Sequence, residues 1–210
     1  MTSPRTRLRL VERLREQGIQ NEAVLAAIAE VPRHIFVDEA LSSRAYEDTA
    51  LPIGLGQTLS QPYIVARMTE IIVDSGPVDR VLEVGTGSGY QAAILSRVCG
   101  TVVSIERIGA LLDKARERLR LLNARNVVTR RADGHGGLAA RGPFNAIVVT
   151  AAPRTVPEAL VEQLAPGGRL LLPLGGEAQQ LTLVTRDADG ETTTSQVESA
   201  NFVPLLPGVN

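Results

Sequence analysis

Apolar positions follow two rhythms along this chain, one after the other. Leu8, Val11 and Leu14 recur at helical spacing among charges over residues 5–17, and Gly18 closes that predicted helix. Asn21 is placed to cap a second helix carrying Val24, Leu25 and Ile28, which Val31-Pro32-Arg33 breaks. A further short turn is expected from Phe36 to Leu41. Residues 49–62 hold two glycines and two prolines and read as a loop. Pro62 suits a first helical position, and Ile64, Val65, Met68, Ile71 and Ile72 carry that helix to about Ser75. Its free N-terminal donors favour an anion.

From Gly76-Pro77 the rhythm becomes strand–helix alternation. Strands are expected at 80–84, 101–105, 127–130, 144–150 and 169–173, with helices at 90–97, 109–122 and 156–164. Pro166-Gly-Gly168 is read as the turn into the fifth strand. Alternation then stops. Two further strands, 181–185 and 192–200, flank Asp187-Ala-Asp-Gly190, which predicts an antiparallel pair at one edge. The expectation is an α/β fold: a Rossmann-like sheet with helices on both faces, an N-terminal helical extension and an antiparallel C-terminal edge. The front third is too short to bury a core of its own.

Composition narrows the function. With 210 residues, 44% hydrophobic, one domain of sizeable core is expected. A net charge of −1 offers no basic footprint for nucleic acid, and 3% aromatics without Trp argue against base stacking. Cys99, the lone cysteine, has no disulfide partner and reads as a packed small residue, which fits a reducing compartment. The N-terminus lacks a leader's apolar core, and no apolar run approaches the roughly 18 residues of a membrane span. A cytoplasmic protein without nucleic-acid or membrane partners is therefore expected. Lys114 is the only lysine, which argues against Schiff-base chemistry.

The chemistry centres on Arg80-Val-Leu-Glu-Val-Gly-Thr-Gly-Ser-Gly-Tyr90. Gly85, Gly87 and Gly89 let the backbone turn sharply after a buried strand and approach a ligand closely. A dinucleotide fingerprint would need glycine where Tyr90 stands, and a Walker loop would need Gly-Lys-Ser/Thr. Glu106, at the end of the second strand, can accept from ribose hydroxyls, and Asp133-Gly134 after the third can accept from an adenine amino group. A tight turn without ligand and an ordinary Asp-Gly turn stay open for these residues. Thr150-Ala-Ala-Pro153 offers neither amide nor ring, which disfavours an amino-nucleobase substrate. His34 and His135 read as solvated or structural, and no Cys/His cluster has metal spacing, so no metal is expected.

Longer stretches carry a resemblance. Val31 to Ala40, Ala50 to Glu70 with its Gly-Gln-Thr-Leu-Ser-Gln-Pro core, Val81 to Gln91, Ser104 to Arg107, Thr150 to Pro153 and Asn201 to Leu205 together resemble the protein-L-isoaspartate O-methyltransferase family over nearly the whole chain. The resemblance implies methyl transfer from S-adenosyl-L-methionine, with S-adenosyl-L-homocysteine as product, to the free α-carboxylate of isoaspartyl residues in damaged proteins and peptides. The ester then closes to a succinimide whose hydrolysis restores some aspartate.

It also implies roles. Ser60 is the active-site residue, and Thr58, Leu59 and Gln61 flank it where cofactor and substrate meet. Glu83, Gly85, Thr86, Gly87, Gly89, Glu106, Arg107, Asp133 and Gly134 are cofactor contacts. Ile53, Ser60 and Val203 are substrate contacts. The family's last two strands are exchanged relative to other methyltransferases. The expected arrangement is one methyltransferase domain over 1–210: extension and substrate loop at 1–76, cofactor-binding core at 77–175, edge strands at 176–210, acting as a monomer. A methyltransferase for another carboxylate or small molecule, a non-catalytic adenosylmethionine-binding module and, remotely, a hydride-transferring oxidoreductase stay open as alternatives.

Overall fold

The structure, a computed structural model, describes residues 4–210; residues 1–3, part of the stretch read as lacking a leader, lie outside the described residues. The first helix, α1 (Pro4–Glu16), buries Leu10, Val11 and Leu14. Leu8 is 56% exposed, so the buried stripe starts at Leu10 rather than at Leu8. Gly18 follows the helix with φ +99°, a conformation that side chains with a Cβ rarely adopt. Asn21 caps α2 (Glu22–Glu30) as expected, its Oδ1 accepting from Ala23 N and Val24 N. Short 3₁₀ segments follow at Arg33–Phe36 and Glu39–Arg44.

The stretch read as a loop contains a hairpin, β1 (Leu51–Gly54) and β2 (Gln57–Leu59), pairing Leu51 with Leu59 and Pro52 with Thr58. Its turn needs positive φ at three successive residues, Gly54, Leu55 and Gly56. Leu55 gives no sequence signal for that, and each strand is too short to show alternation. Pro62 opens α3 (Pro62–Val73) at its first turn.

The remaining elements are β3 (Arg80–Val84), α4 (Tyr90–Val98), β4 (Thr101–Glu106), α5 (Gly109–Leu121), β5 (Val127–Arg131), β6 (Phe144–Val149), α6 (Glu158–Val161), β7 (Leu164–Gly175), β8 (Gln179–Arg186) and β9 (Thr192–Ala200). Seven of these strands form one sheet in the order β5-β4-β3-β6-β7-β8-β9. The first five are parallel, while β8 and β9 run antiparallel and add outward in chain order. The helix expected at 156–164 shrinks to α6, because β7 begins at Leu164, paired with Phe144. Pro166-Gly-Gly168 is therefore a bulge inside β7 rather than a turn before it: pairing jumps from Leu164 opposite Phe144 to Arg169 opposite Ala146.

Alternation along the strands fills two cores. Val81, Val102, Ala146 and Val148 face the layer shared with α1–α4, whereas Leu82, Val84, Val103 and Ile147 face the layer holding Leu160. Each valine, leucine or isoleucine among them contributes roughly 1.5–3 kcal/mol on removal from water. The N-terminal extension shares the first core through Leu10, Leu14, Val24 and Phe36. Polar ties fix it: buried Glu70 accepts from Gln20 N and Asn21 N at 2.7 and 2.9 Å, and Glu198 on β9 accepts from Tyr63 Oη at 3.0 Å. The strand order reverses at β3, where chain growth passes from β5 back to β6. Open α/β sheets bind ligands outside the carboxyl ends of strands at such a point.

Candidate active site

The turn after β3 is built from backbone. Gly85 N and Thr86 N donate to Ile105 O at 2.8 and 3.1 Å, which draws the turn over the end of β4. Gly85 has φ +99°, and a Cβ there would lie 2.4 Å from Thr150 Oγ1. Only glycine fits, because Thr150 already fills the space a Cβ would take. Gly89 ends the turn in the left-handed region as the residue before α4, close to Ala115.

Glu106 is 6% exposed at the end of β4. Its Oε2 accepts from Gly87 N and its Oε1 from Ile108 N, both at 2.9 Å. A carboxylate has about four acceptor sites, so both oxygens keep capacity for ribose hydroxyls. Asp133 follows β5. Burial works against its charge, but hydrogen bonds from Gly208 N, from His135 N and from the His135 ring outweigh burial and hold the carboxyl below its usual range.

The C-terminal tail closes this side, a contribution the sequence reading mostly missed. Ala152 N donates to Val203 O and Leu205 N to Ala152 O, both at 2.8 Å. Arg107 Nε donates to Gly208 O at 3.1 Å, and Asn210 N to Arg107 O at 2.8 Å. A cleft results, lined by Gly85, Gly87, Ile105, Glu106, Arg107, Ala132, Gly134, Thr150 and Val203 to Leu206. Ile105, Ala132 and Leu206 carry no motif that singles them out. Val203, expected among substrate contacts, sits in this cleft, because the bridge between Ala152 and Pro204 lays the tail along the cofactor side.

A second cleft is lined by Ala50, Thr58, Ser60, Gln61, Ile64 and residues 199–202. A third, narrower cleft joins the two; Thr58, Leu59 and Ser60 line it together with Gly85, Thr86, Gly87, Gln91 and Thr150. Thr58 borders all three. The Ile53 Cδ1 lies 3.5 Å from where a Gly87 Cβ would be, so the hairpin lies against the glycine turn. The Ser60 hydroxyl makes no hydrogen bond among the described residues, and its carbonyl accepts from Arg33 Nη2 at 2.7 Å. The start of α3 is not an open anion site: Tyr63 N donates to Asp48 Oδ1 at 3.0 Å, so the chain's own carboxylate already caps it.

Glu83 departs from its expected place. It is fully buried on the α4 side of β3, lines none of these clefts, and accepts a short hydrogen bond from Ser104 Oγ. Ser104 Oγ also lies 2.5 Å from Thr86 Oγ1. Glu83 thus braces the turn from beneath, since strand alternation points its side chain away from the ligand face. Burial, with the nearby Glu106 charge adding, pushes its carboxyl up to about 8 against the opposing Ser104 hydrogen bond. Thr86, also buried, joins the same network. His34 Nδ1 pairs with Tyr46 Oη at 2.8 Å, away from all three clefts, and burial followed by Arg7 lowers its pKa. Among the described residues no group of three or more His, Cys, Asp or Glu is placed to hold a metal.

A parallel sheet reversing at β3, a glycine turn lacking the third dinucleotide glycine, and a carboxylate with spare acceptor sites at the next strand end define a Rossmann-like S-adenosylmethionine-dependent methyltransferase. Comparison with known proteins gives the particular family. Residues 5–210 match the model of the family described as protein-L-isoaspartate(D-aspartate) O-methyltransferase (PCMT). The protein-L-isoaspartate O-methyltransferases of Pseudomonas aeruginosa and Hahella chejuensis are each 58% identical over 209 residues, covering at least 99% of both chains. A solved protein-L-isoaspartate O-methyltransferase superposes with TM-score 0.86 at 30% identity, over 94% of this chain and 65% of that one. A Plasmodium falciparum chain described as a beta-aspartate methyltransferase, solved in complex with S-adenosyl-L-homocysteine, gives TM-score 0.81 at 25% identity over 95% and 98%. The chain belongs to the protein-L-isoaspartate(D-aspartate) O-methyltransferase family.

Proposed function

We propose that this enzyme methylates the free α-carboxylate of isoaspartyl residues in damaged proteins and peptides, with Ser60 orienting the acceptor. The observation that carries the reading is the Ser60 hydroxyl, unengaged among the described residues and lining the passage between the second cleft and the glycine turn. When bound, S-adenosyl-L-methionine supplies an activated methyl on a sulfonium and leaves as S-adenosyl-L-homocysteine. Glu106 would hold the ribose hydroxyls, Asp133 and Gly134 the adenine end, and the backbone of Gly85 to Gly87 the rest.

An α-carboxylate is already ionised at neutral pH, so no general base is required. This agrees with the remoteness of His34 from the clefts. The chain's task is alignment and exclusion of water. Ser60 donates one hydrogen bond to a carboxylate oxygen. A stronger clamp would be counterproductive, since the acceptor's charge is lost in the transfer and ground-state stabilisation slows it. Ile53 and the 199–203 segment would hold the peptide backbone. On this reading residues 1–76, 77–175 and 176–210 work as one methyltransferase domain, as a monomer in the cytoplasm, without nucleic acid or membrane as partner. No helix among the described residues is long and apolar enough to cross a membrane.

A synthetic isoaspartyl peptide, its aspartyl counterpart and methyl-labelled cofactor test the proposal. Label is expected on the isoaspartyl peptide alone; equal labelling of both, or none despite cofactor binding, would refute it. Ser60→Ala should lower kcat roughly 10- to 100-fold with cofactor affinity near normal. Equal loss of both would move Ser60 into the cofactor site.

A further inference from the structure

Arg33 lines none of the three clefts, yet among the described residues it is the largest fully buried side chain. A buried guanidinium normally meets a carboxylate, and one without a partner is strongly destabilising. Here no ion pair forms among the described residues; Asp48 acts on it only at longer range. Its Nε donates to Ala45 O and its Nη2 to Ser60 O, both at 2.7 Å. Its Cζ stands 4.9 Å from the centroid of the Tyr90 ring, whose face supplies the compensating negative potential. Tyr90 is the first residue of α4, directly after Gly89. One cation therefore touches the acceptor loop and the helix that opens at the cofactor turn.

We infer that Arg33 is a positioning residue for methyl transfer: it fixes the Ser60 peptide relative to the glycine turn, and so sets where the Ser60 hydroxyl presents the acceptor. The inference rests on the role of Ser60 proposed above. Its geometry requires arginine. A planar fork reaches two carbonyls while its face stacks on a ring, and it is less strongly hydrated than an ammonium. Lysine can reach one carbonyl but cannot do both and stack. Asp48 acts alongside by holding Tyr63 N, so the segment 60–63 is pinned at both ends. Were stability the only role, an apolar side chain of similar volume would serve as well or better.

The full chain tests this as a cycle of Arg33→Lys, Ser60→Ala and the double variant. Readouts are kcat and KM for an isoaspartyl peptide, calorimetric affinity for S-adenosyl-L-homocysteine, and thermal unfolding. Arg33→Lys should lower kcat about 10-fold while affinity for S-adenosyl-L-homocysteine changes less than about 3-fold. In the Ser60→Ala background the same substitution should cost less than about 2-fold, because its effect passes through the serine. Arg33→Met, which keeps volume and removes the buried charge, should fold, lose more kcat than Arg33→Lys and show the same non-additivity; it carries the test if the lysine variant fails to fold. Additive losses, or parallel loss of S-adenosyl-L-homocysteine affinity and kcat, overturn the inference. So does normal kcat in a folded Arg33→Met while Ser60→Ala is impaired. Normal kcat in Ser60→Ala removes the serine reading itself, and this inference with it.

Discussion

On the cofactor side of the junction, the turn from Gly85 to Gly89 is drawn against strand ends already in register. Ile105 O and the Glu106 carboxylate take its N–H groups, and both belong to β4, the neighbour of β3. On the acceptor side, the Ser60 segment has no sheet beneath it. The two-stranded hairpin before it pairs only with itself, and its anchors are side chains: Arg33 on the Ser60 carbonyl and Asp48 on Tyr63 N. Backbone held by a sheet has little freedom left to lose. A segment held by two side chains is placed only as well as the elements bearing them. The segments before the hairpin thus bear on the placement of Ser60 through Arg33 and Asp48, although α1 and α2 line none of the three clefts.

The contrast can be broken from either side. Gly85→Ala should have the largest effect, since the new Cβ would meet Thr150 Oγ1 at 2.4 Å with φ at +99°. Strain on the order of 3 kcal/mol should weaken S-adenosyl-L-homocysteine binding about 100-fold by calorimetry. Near-normal affinity would mean that the turn is not the cradle. Glu106→Gln comes next. It turns one acceptor into a donor facing Gly87 N–H or Ile108 N–H, and affinity should fall roughly 10- to 100-fold with kcat at saturating cofactor less affected. An unchanged affinity would sink the ribose assignment.

Glu70→Gln acts on the other half. It weakens the two backbone hydrogen bonds that tie the α1–α2 link to α3, and should cost about 1–3 kcal/mol in denaturant unfolding. Cofactor affinity in the folded variant should hold. Loss of affinity without loss of stability would dissolve the distinction between the halves.

A smaller effect concerns the brace under the turn. The Glu83 carboxyl stays protonated up to about 8 in the folded chain, against 4.5 as its ordinary value. Below 4.5 both states bind the proton. Between the two values only the folded state does, so the stability this group contributes is full at low pH, falls as pH rises toward 8, and is lost above it. Glu83→Gln has no such falling limb. The difference in Tm between wild type and variant should therefore shift in the variant's favour from pH 5 to pH 8.5, and parallel curves would remove Glu83 as a buried acid. The smallest expected effect is at Cys99, buried and pushed up to about 12. Iodoacetamide at pH 8 should label it more than about 100-fold more slowly than an exposed cysteine, with activity retained.

Much of the local structure was legible in the residue order. The strand at 80–84, the three glycines, the N-cap at Asn21 and the first-turn Pro62 all stand where their local chemistry puts them. Misreadings arose from an unusual torsion, from pairing between distant segments and from the face a strand residue takes. The hairpin at 51–59 was invisible because Leu55 had to take a glycine-like φ of 53°. The helix at 156–164 was cut short by pairing of Leu164 with Phe144. Glu83 looked like a ligand because its motif position says nothing about which face of β3 its side chain takes.

By itself the sequence determined the parts whose geometry is written in consecutive residues: alternating strands and helices, the turn that only glycine can make, and the serine-bearing loop that marks the family. Tertiary structure alone decided how those parts meet. It set Arg33 between Ser60 and Tyr90, brought the C-terminal tail onto Asp133, and placed Asp48 at the start of α3. Turn and helix signals arise from torsions and hydrogen bonds a few residues apart. A buried cation's partners are chosen by packing of whole elements, for which no short stretch of chain carries a code.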